Sequence, residues 1–152
     1  MYNPYKIGKQ IYLRHPTEED VNGKWHEWFS DEETTKYLSQ RFWPNSKEAQ
    51  LDFYRSLKSS RDKLVLSVIN RSSDKHIGIV SLSSINWVSR FAEIGIVIGE
   101  KEYHKGPVVA EAFSMMIEVG FLRLNLENII STYSMYAKGS ESLHRLFKFK
   151  QN

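Results

Sequence analysis

Residues 91–135 limit the possible folds of this chain more than any other stretch. An apolar run, Phe91 to Ile98, is followed by a polar turn and then by Pro107 to Leu122, where apolar residues recur at helical spacing. Residues 128–135 alternate like a strand. A strand, one helix and a second strand predict a right-handed crossover with strands 91–98 and 128–135 parallel.

Two more strand-like runs, Leu64 to Ile69 and His76 to Ile85, come shortly before this unit. With strand 91–98 they predict an antiparallel meander. Earlier still, Ile11 to Arg14 reads as a short strand. Helices are expected after the capping residues Thr17 and Ser46, over 31–38 and over 140–149. This order predicts an α+β fold, with helices flanking a mixed, mostly antiparallel twisted sheet.

Composition excludes several classes of protein. The chain has 152 residues, of which 41% are hydrophobic and 26% charged, as in an ordinary globular domain. It has no cysteine, which excludes disulfides, thiolate metal sites and cysteine nucleophiles. No apolar run approaches the roughly 20 residues of a membrane span, and the N-terminus lacks a signal-peptide core. We therefore expect a cytoplasmic protein that binds no membrane.

The net charge of +3 favours anionic ligands but is too small to indicate nucleic-acid binding. The sequence EKEYHKGPVVAEAF, residues 100–113, joins strand 91–98 to the crossover helix. N–H groups at a helix N-terminus bind phosphate, and Gly106 permits a close approach. Pro107 lacks an N–H but is also favoured at a first helical position. The turn is therefore either a phosphate-binding turn or simply a helix start.

Two stretches carry a family resemblance. IYLRHPTEEDV…WHEWFSDEETTKYL and HIGIVSLSSINWVSRFAEIGIVIGEKEYHKGPVVAEAF resemble the opening elements and the cofactor-binding core of GNAT-superfamily N-acetyltransferases, in the ribosomal-protein and sugar-amine branch. The resemblance implies one such domain over residues 1–152. It also implies acetyl transfer from acetyl-coenzyme A to a primary amine of a small molecule, of amino-sugar type, or of a protein N-terminus, without a metal.

The resemblance places the cofactor along two segments. The family's pyrophosphate motif, Arg/Gln-x-x-Gly-x-Gly/Ala, falls on residues 104–109, where all three signature positions differ. The groups left to bind the diphosphate are His104, Lys105, Gly106, Val108 and Val109. A bulge at Gly95 is expected to splay strand 91–98 from the next strand, so that backbone groups of Ile96, Val97 and Ile98 contact the pantetheine arm.

The resemblance also implies catalytic residues. Glu93 lies in an apolar strand and is expected to act as base for the incoming amine, with a surface position or an ion pair to Arg90 as the alternative. Leu146 stands near the place of the family's tyrosine acid, which leaves Tyr136, or Tyr133, to protonate the departing thiolate.

Three aromatic residues are candidates for an acceptor pocket, or alternatively for anchoring loops to the core: Phe42, Trp43 and Trp87. His104 and His144 are isolated in the sequence and are expected at the surface. No spacing of histidine and acidic residues suggests a metal site. Ser46, Ser114 and Ser142 lie in no elbow motif, so no serine nucleophile is expected.

The sequence stops soon after the last predicted helix, whereas the family continues into one or two further strands. We expect the resulting sheet edge to be covered by a partner subunit, as in a homodimer, or by a swapped element. The divergent turn and the short C-terminus leave one alternative to the enzyme: a catalytically impaired GNAT-fold protein that binds a ligand or a partner protein.

Overall fold

The computed structural model describes residues 1–151 and contains a six-stranded sheet in the order β1-β2-β3-β4-β5-β6. Neighbouring strands are antiparallel except for β5 and β6, which are parallel. The strands are β1 Pro4–Ile7, β2 Ile11–Arg14, β3 Leu64–Asn70, β4 His76–Asn86, β5 Phe91–Ile98 and β6 Asn128–Ile130. The predicted fold class and the parallel crossover are therefore confirmed.

Helices cover both faces of the sheet. Thr17 and Asp20 form the predicted capping box, and the Ser46 hydroxyl accepts from the Ala49 N–H. π-Helical turns at Val21–Trp25 and Val119–Arg123 follow the first and fifth helices. The α-helices are α1 Glu18–Asp20, α2 His26–Ser30, α3 Glu32–Thr35, α4 Lys47–Leu57, α5 Pro107–Glu118 and α6 Lys138–Leu146.

Two hydrophobic clusters hold these layers together. Val21 and Trp25 pack with Leu57, Val65 and Ile79, which places α1 to α4 on one face of the sheet. The larger cluster lies on the opposite face beneath α5, and its residues include Ile94, Ile98, Val108, Phe113 and Met116. Apolar side chains of β3 are divided between the two clusters, with Leu66 and Val68 in the larger and Val65 in the smaller, as expected of a strand covered on both sides.

The predicted strand over 128–135 is wrong in length, because β6 ends at Ile130. Beyond that point the hydroxyl side chains form hydrogen bonds that are not part of the backbone pairing of the sheet: Thr132 donates to the Glu93 carboxylate, and the Ser134 hydroxyl accepts from the Tyr136 N–H. The sequence analysis also missed β1, a four-residue edge strand that begins with a proline.

The predicted bulge at Gly95 is also wrong. The pairing of β4 with β5 runs unbroken through Gly95 opposite Ser81, and its one register shift lies between Ser83 and Asn86. Ser84 in that shift has a positive φ of 50°. Strand β5 separates from its other neighbour for a different reason, namely that β6 is short.

Candidate active site

The edge of β5 that faces β6 is open over most of its length. Pairing between the two strands ends at Glu93 opposite Ile130. The Gly99 N–H donates to the Ile77 carbonyl of β4 at 2.9 Å. Because backbone groups alternate sides along a strand, those of Ile94, Ile96 and Ile98 point away from β4, towards the open side. The sheet therefore presents a row of backbone donors and acceptors there.

This alternation separates the three strand residues that the sequence suggested. Ile96 and Ile98 expose backbone groups at the opening, whereas the backbone groups of Val97 face β4. The Ile98 carbonyl accepts a hydrogen bond from His104 Nε2 at 2.5 Å. Because a carbonyl only accepts, Nε2 must carry the proton. The His104 side chain thus already contacts the far end of the open edge.

The N-terminus of α5 lies just beyond that end. Gly106 adopts φ 115° and ψ −170°, a conformation that non-glycine residues avoid. Pro107 occupies the first turn, and no side chain caps the helix. Within residues 1–151, the N–H groups of Gly106, Val108 and Val109 have no protein acceptor. A helix of 12 residues with free N–H groups, next to Lys105, can bind an anion.

Glu93 lies where the opening begins. Its Oε1 accepts from the Thr132 hydroxyl at 2.6 Å, so a residue just after β6 fixes the carboxylate. The suggested ion pair with Arg90 does not form, because Arg90 contacts Glu127 instead at 3.4 Å. Ile94 packs towards α5, and successive side chains of a strand point to opposite faces of the sheet. Glu93 therefore lies on the face covered by α1 to α4. A partly buried carboxylate at this point can receive a proton.

His144 contradicts the expectation of a surface histidine, because its side chain is only 7% exposed. Its Nδ1 contacts the Ser140 carbonyl at 2.5 Å, and its Nε2 forms a hydrogen bond with the Ser131 hydroxyl. Tyr133 stacks on the imidazole with ring centroids 4.4 Å apart. The sequence held a signal for this burial, since His144 shares a helical stripe with Leu143 and Phe147.

The chain matches the family model of the acetyltransferase (GNAT) domain over residues 10–150. It therefore belongs to the GNAT acetyltransferase family. An uncharacterized N-acetyltransferase p20 of Bacillus licheniformis is 28% identical over 123 residues, which span 80% of this chain and 68% of that protein.

Solved structures of low sequence identity share the fold. Spermidine N-acetyltransferase of Vibrio cholerae, in complex with CoA and spermine, superposes with a TM-score of 0.84 at 20% identity, over 95% of this chain and 83% of that one. A GNAT-family acetyltransferase of Bacillus anthracis gives a TM-score of 0.81 at 18% identity, over 97% and 84% of the two chains. At these identities the likeness establishes the fold of this GNAT domain.

The remaining predicted site residues of this GNAT domain are scattered. Tyr136 is 75% exposed in the loop before α6, whereas Tyr133 lies inside that loop against His144. Phe42 and Trp43 line one open groove beside α2 and α3. Trp87 lies in the β4–β5 turn, at the opposite end of β5 from Ile98, and its indole donates to the Arg61 carbonyl at 2.8 Å.

A second groove, which the sequence did not indicate, lies at the C-terminal end of β5. Trp28 packs directly against Gly99 at its base. Four acidic side chains and two lysines line it, namely Glu27, Asp31, Glu100, Glu102, Lys24 and Lys101. Glu100 pairs with Lys24 and Lys75, and Lys75 also contacts Glu102, so that lysines already offset part of this acidic charge.

Behind this groove is a buried polar network. Arg14 binds Asp20 through two hydrogen bonds, of 2.7 and 2.9 Å, and the Ser67 hydroxyl donates to the same carboxylate at 2.8 Å. His76 lies 3.4 Å from Asp20 and packs edge-on against Trp28. Burial lowers the pKa of His76, and the positive charge of Arg14 lowers it further. The negative charge of Asp20 acts in the opposite direction but does not outweigh these two effects.

The pKa of Asp20 is also lowered. Burial by itself raises it, but the hydrogen bonds from Arg14, Thr17 and Ser67 and the proximity of His76 together outweigh burial. Nowhere in residues 1–151 do three metal-binding side chains of histidine or acidic residues come together. None of the helices in this range combines the length and apolar character of a membrane span.

Proposed function

We propose that this protein transfers an acetyl group from acetyl-coenzyme A to a primary amine. One observation carries the proposal: the open backbone edge of β5 ends next to the uncapped N-terminus of α5. A long cofactor with amide groups at one end and a diphosphate at the other matches this arrangement.

The cofactor contacts follow from the backbone. Amide groups of the pantetheine arm pair with Ile96 and neighbouring positions along the open edge, as an added strand would. The diphosphate accepts from the N–H groups of Gly106, Val108 and Val109, with Lys105 supplying positive charge. Pro107 contributes no donor, which lowers affinity relative to a helix start with four free N–H groups.

Glu93 is the proposed base. The amine must lose a proton before or as its nitrogen attacks the thioester carbonyl carbon, and the carboxylate held by Thr132 lies at the opening where that carbon would sit. The carbon–sulfur bond then breaks, and the second proton of the attacking nitrogen passes to the sulfur, so that coenzyme A leaves as a thiol. Glu93→Gln keeps the shape and the bond to Thr132 but removes the base, so turnover should fall by about 100-fold or more at neutral pH.

We propose a cationic small-molecule amine as the acceptor. The proposed base, Glu93, is a carboxylate at the opening where the acetyl group is transferred, and its charge favours a ligand with ammonium groups. The Vibrio cholerae protein of the same fold is named for spermidine. Amino sugars and peptide N-termini, which the sequence also suggested, remain alternatives.

The test is an acetylation assay with acetyl-coenzyme A and three acceptors: spermidine, an amino sugar and a peptide with a free N-terminus. Product formation is followed by mass spectrometry. We expect the polyamine to give the highest kcat/KM. Preference for the peptide would contradict the proposed acceptor class, and no product with any amine would contradict the enzyme.

One observation favours a second candidate, a catalytically impaired domain that binds a ligand or partner. His104 already bonds to the Ile98 carbonyl, a group that the cofactor arm would otherwise use. Removing that competitor distinguishes the candidates. If the protein is an enzyme, His104→Ala should bind acetyl-coenzyme A at least as tightly as the unmodified chain. An affinity that appears only in the variant would favour the impaired domain.

A further inference from the structure

A hollow lies over Gly95 on the face of the sheet that α1 to α4 cover. Gly95 follows Glu93 by two positions in β5, so both residues share this face. Apart from its chain neighbours, the nearest atom to a Cβ added on Gly95 would be the Ser81 Oγ, at 3.0 Å. Within residues 1–151, no side chain of the covering helices comes within 4 Å of that Cβ. The sheet therefore leaves an open space beside the proposed base.

The Ser81 hydroxyl borders this hollow and is available to a ligand. Ser81 pairs with Gly95, and Ser83 pairs with Glu93, so both serines lie on the same face. The Ser83 hydroxyl already donates to the Glu93 carbonyl, at 3.5 Å. In the described part of the chain, the Ser81 hydroxyl has no protein partner and is not fully enclosed. A free hydroxyl can both donate and accept a hydrogen bond.

Glu93 offers a second oxygen to the same space. Its Oε1 accepts from the Thr132 hydroxyl, which leaves Oε2 without a protein donor among residues 1–151. Glu93 and Ser81 are diagonal neighbours on antiparallel strands, with Cα atoms typically about 7–8 Å apart. One nitrogen can bond to an oxygen of each, since two hydrogen bonds together span about 6 Å.

We propose that Ser81 binds and orients the nitrogen of the acceptor amine over Gly95, while Glu93 takes its proton. An ammonium group has N–H donors and no acceptor, so it matches a carboxylate and a hydroxyl with free lone pairs. Gly95 lies between Ser81 on β4 and the opening beside β5, and its missing side chain lets the amine reach across the strand. This assignment rests on the proposed function for the transfer itself.

The proton balance of the transfer is unchanged by Ser81. The ammonium gives one proton to Glu93 Oε2, and the freed lone pair attacks the thioester carbonyl carbon. Ser81 Oγ accepts a hydrogen bond from a remaining N–H of that nitrogen, which directs the lone pair towards the opening. The Ser81 hydroxyl keeps its own proton and forms no covalent bond.

Gly95 sets how much bulk the amine can carry next to its nitrogen. A methyl group in Gly95→Ala would occupy the hollow and press on the Ser81 Oγ. The nitrogen of spermidine is bonded to an unbranched carbon, whereas amino sugars and most peptide N-termini carry it on a branched carbon. We therefore expect Gly95→Ala to lower kcat/KM more for the two branched acceptors than for spermidine.

The test measures kcat/KM of each variant with spermidine, an amino sugar and a peptide, alongside its affinity for acetyl-coenzyme A. Ser81→Ala should lower kcat/KM by about 10- to 100-fold for every amine that the unmodified chain acetylates, because one hydrogen bond to a charged group is lost. Its affinity for acetyl-coenzyme A should be unchanged. Ser83→Ala is the matched control on the same strand and face, and it should keep most of the activity because that hydroxyl already has a backbone partner.

The outcomes separate the role of Ser81 from the proposed function. Thermal unfolding of every variant identifies folding defects, and if Ser81→Ala does not fold, Gly95→Ala decides alone. Full amine acetylation by folded Ser81→Ala, or an equal loss in Ser83→Ala, would overturn the role of Ser81 and leave the acetyltransferase intact. Unchanged kinetics of Gly95→Ala with all three acceptors would overturn the position of the amine over Gly95. No acetylation of any amine by the unmodified chain would overturn the proposed function and this assignment together.

Discussion

Gly106 shows at the scale of one residue why the α5 turn retains a glycine. Its φ of 115° and ψ of −170° lie in a region that costs other residues about 1–3 kcal/mol. We expect Gly106→Ala to lower the free energy of unfolding by that amount and to weaken binding of acetyl-coenzyme A. Urea unfolding and calorimetry measure the two effects.

Gly139→Ala is the control for Gly106→Ala. Gly139 lies in α6, and an added Cβ meets no atom within 4 Å. Alanine is favoured in helices, so this change should stabilise the protein by up to about 1 kcal/mol. If both substitutions changed the free energy of unfolding equally, a side chain at position 106 would cause no backbone strain.

His76 predicts a pH dependence of stability. Burial lowers its pKa in the folded state below the value of about 6.5 expected in the unfolded chain. The unfolded state therefore binds the proton first, and stability should decrease as the pH falls from about 6.5 towards the folded pKa. Three charged groups next to the imidazole also act on its pKa. The carboxylates of Asp20 and Glu100 raise it, and the guanidinium of Arg14 lowers it.

The measurement is urea unfolding at pH 7.5 and at mildly acidic pH. His76→Gln should be less stable at pH 7.5 but should lose most of the pH dependence between the two conditions. His15→Gln, at an exposed histidine, should keep that dependence. If His76→Gln kept the pH dependence of stability, that dependence would have to come from other titratable groups.

At the scale of elements, the contact between Trp28 and Gly99 joins α2 to the end of β5. The indole packs where a Cβ on Gly99 would be, so the two elements approach as closely as backbone allows. Gly99→Ala should cost about 1–3 kcal/mol of stability through this clash.

A double-mutant cycle tests that contact. In a Trp28→Ala background the ring is gone, and Gly99→Ala should then be nearly neutral. The coupling energy is read from urea unfolding of the four proteins. Additive costs would mean that Gly99 is required for another reason, such as its own backbone conformation.

The elements with strong periodicity were predictable from sequence. Strands β3, β4 and β5 and helix α5 follow from apolar spacing, and the order of elements led to the correct fold class. The end of β6 was not predictable, because residues 131–135 alternate as a strand would. Their exit from the sheet depends on Glu93 and His144, which only the folded chain brings close.

The candidate site divides in the same way. Glu93 in β5 and Gly106 before α5 lie in the elements that apolar spacing indicated. The open edge has a cause other than the predicted bulge at Gly95, because it follows from the short β6. The groove over Gly99 and the Ser131–His144 pair were missed, because each combines residues far apart in the chain. Isolated histidines carry no signal of burial in a sequence unless the helical stripe around them is considered.

At the scale of the whole molecule, the outer edge of β6 and the exposed apolar side chains in and after this strand bear on assembly. Ile130, Met135 and Leu146 are 48%, 80% and 65% exposed. The homodimer expected from the sequence remains a prediction. Sedimentation should show a dimer at micromolar concentration, and a stable monomer there would contradict it.

The central claim is that the open edge of β5 and the N-terminus of α5 together bind acetyl-coenzyme A. Calorimetric titration of the protein with acetyl-coenzyme A tests it most directly. The structure predicts one site per chain with a micromolar Kd, weakened in Gly106→Ala. No heat of binding at millimolar acetyl-coenzyme A would contradict it.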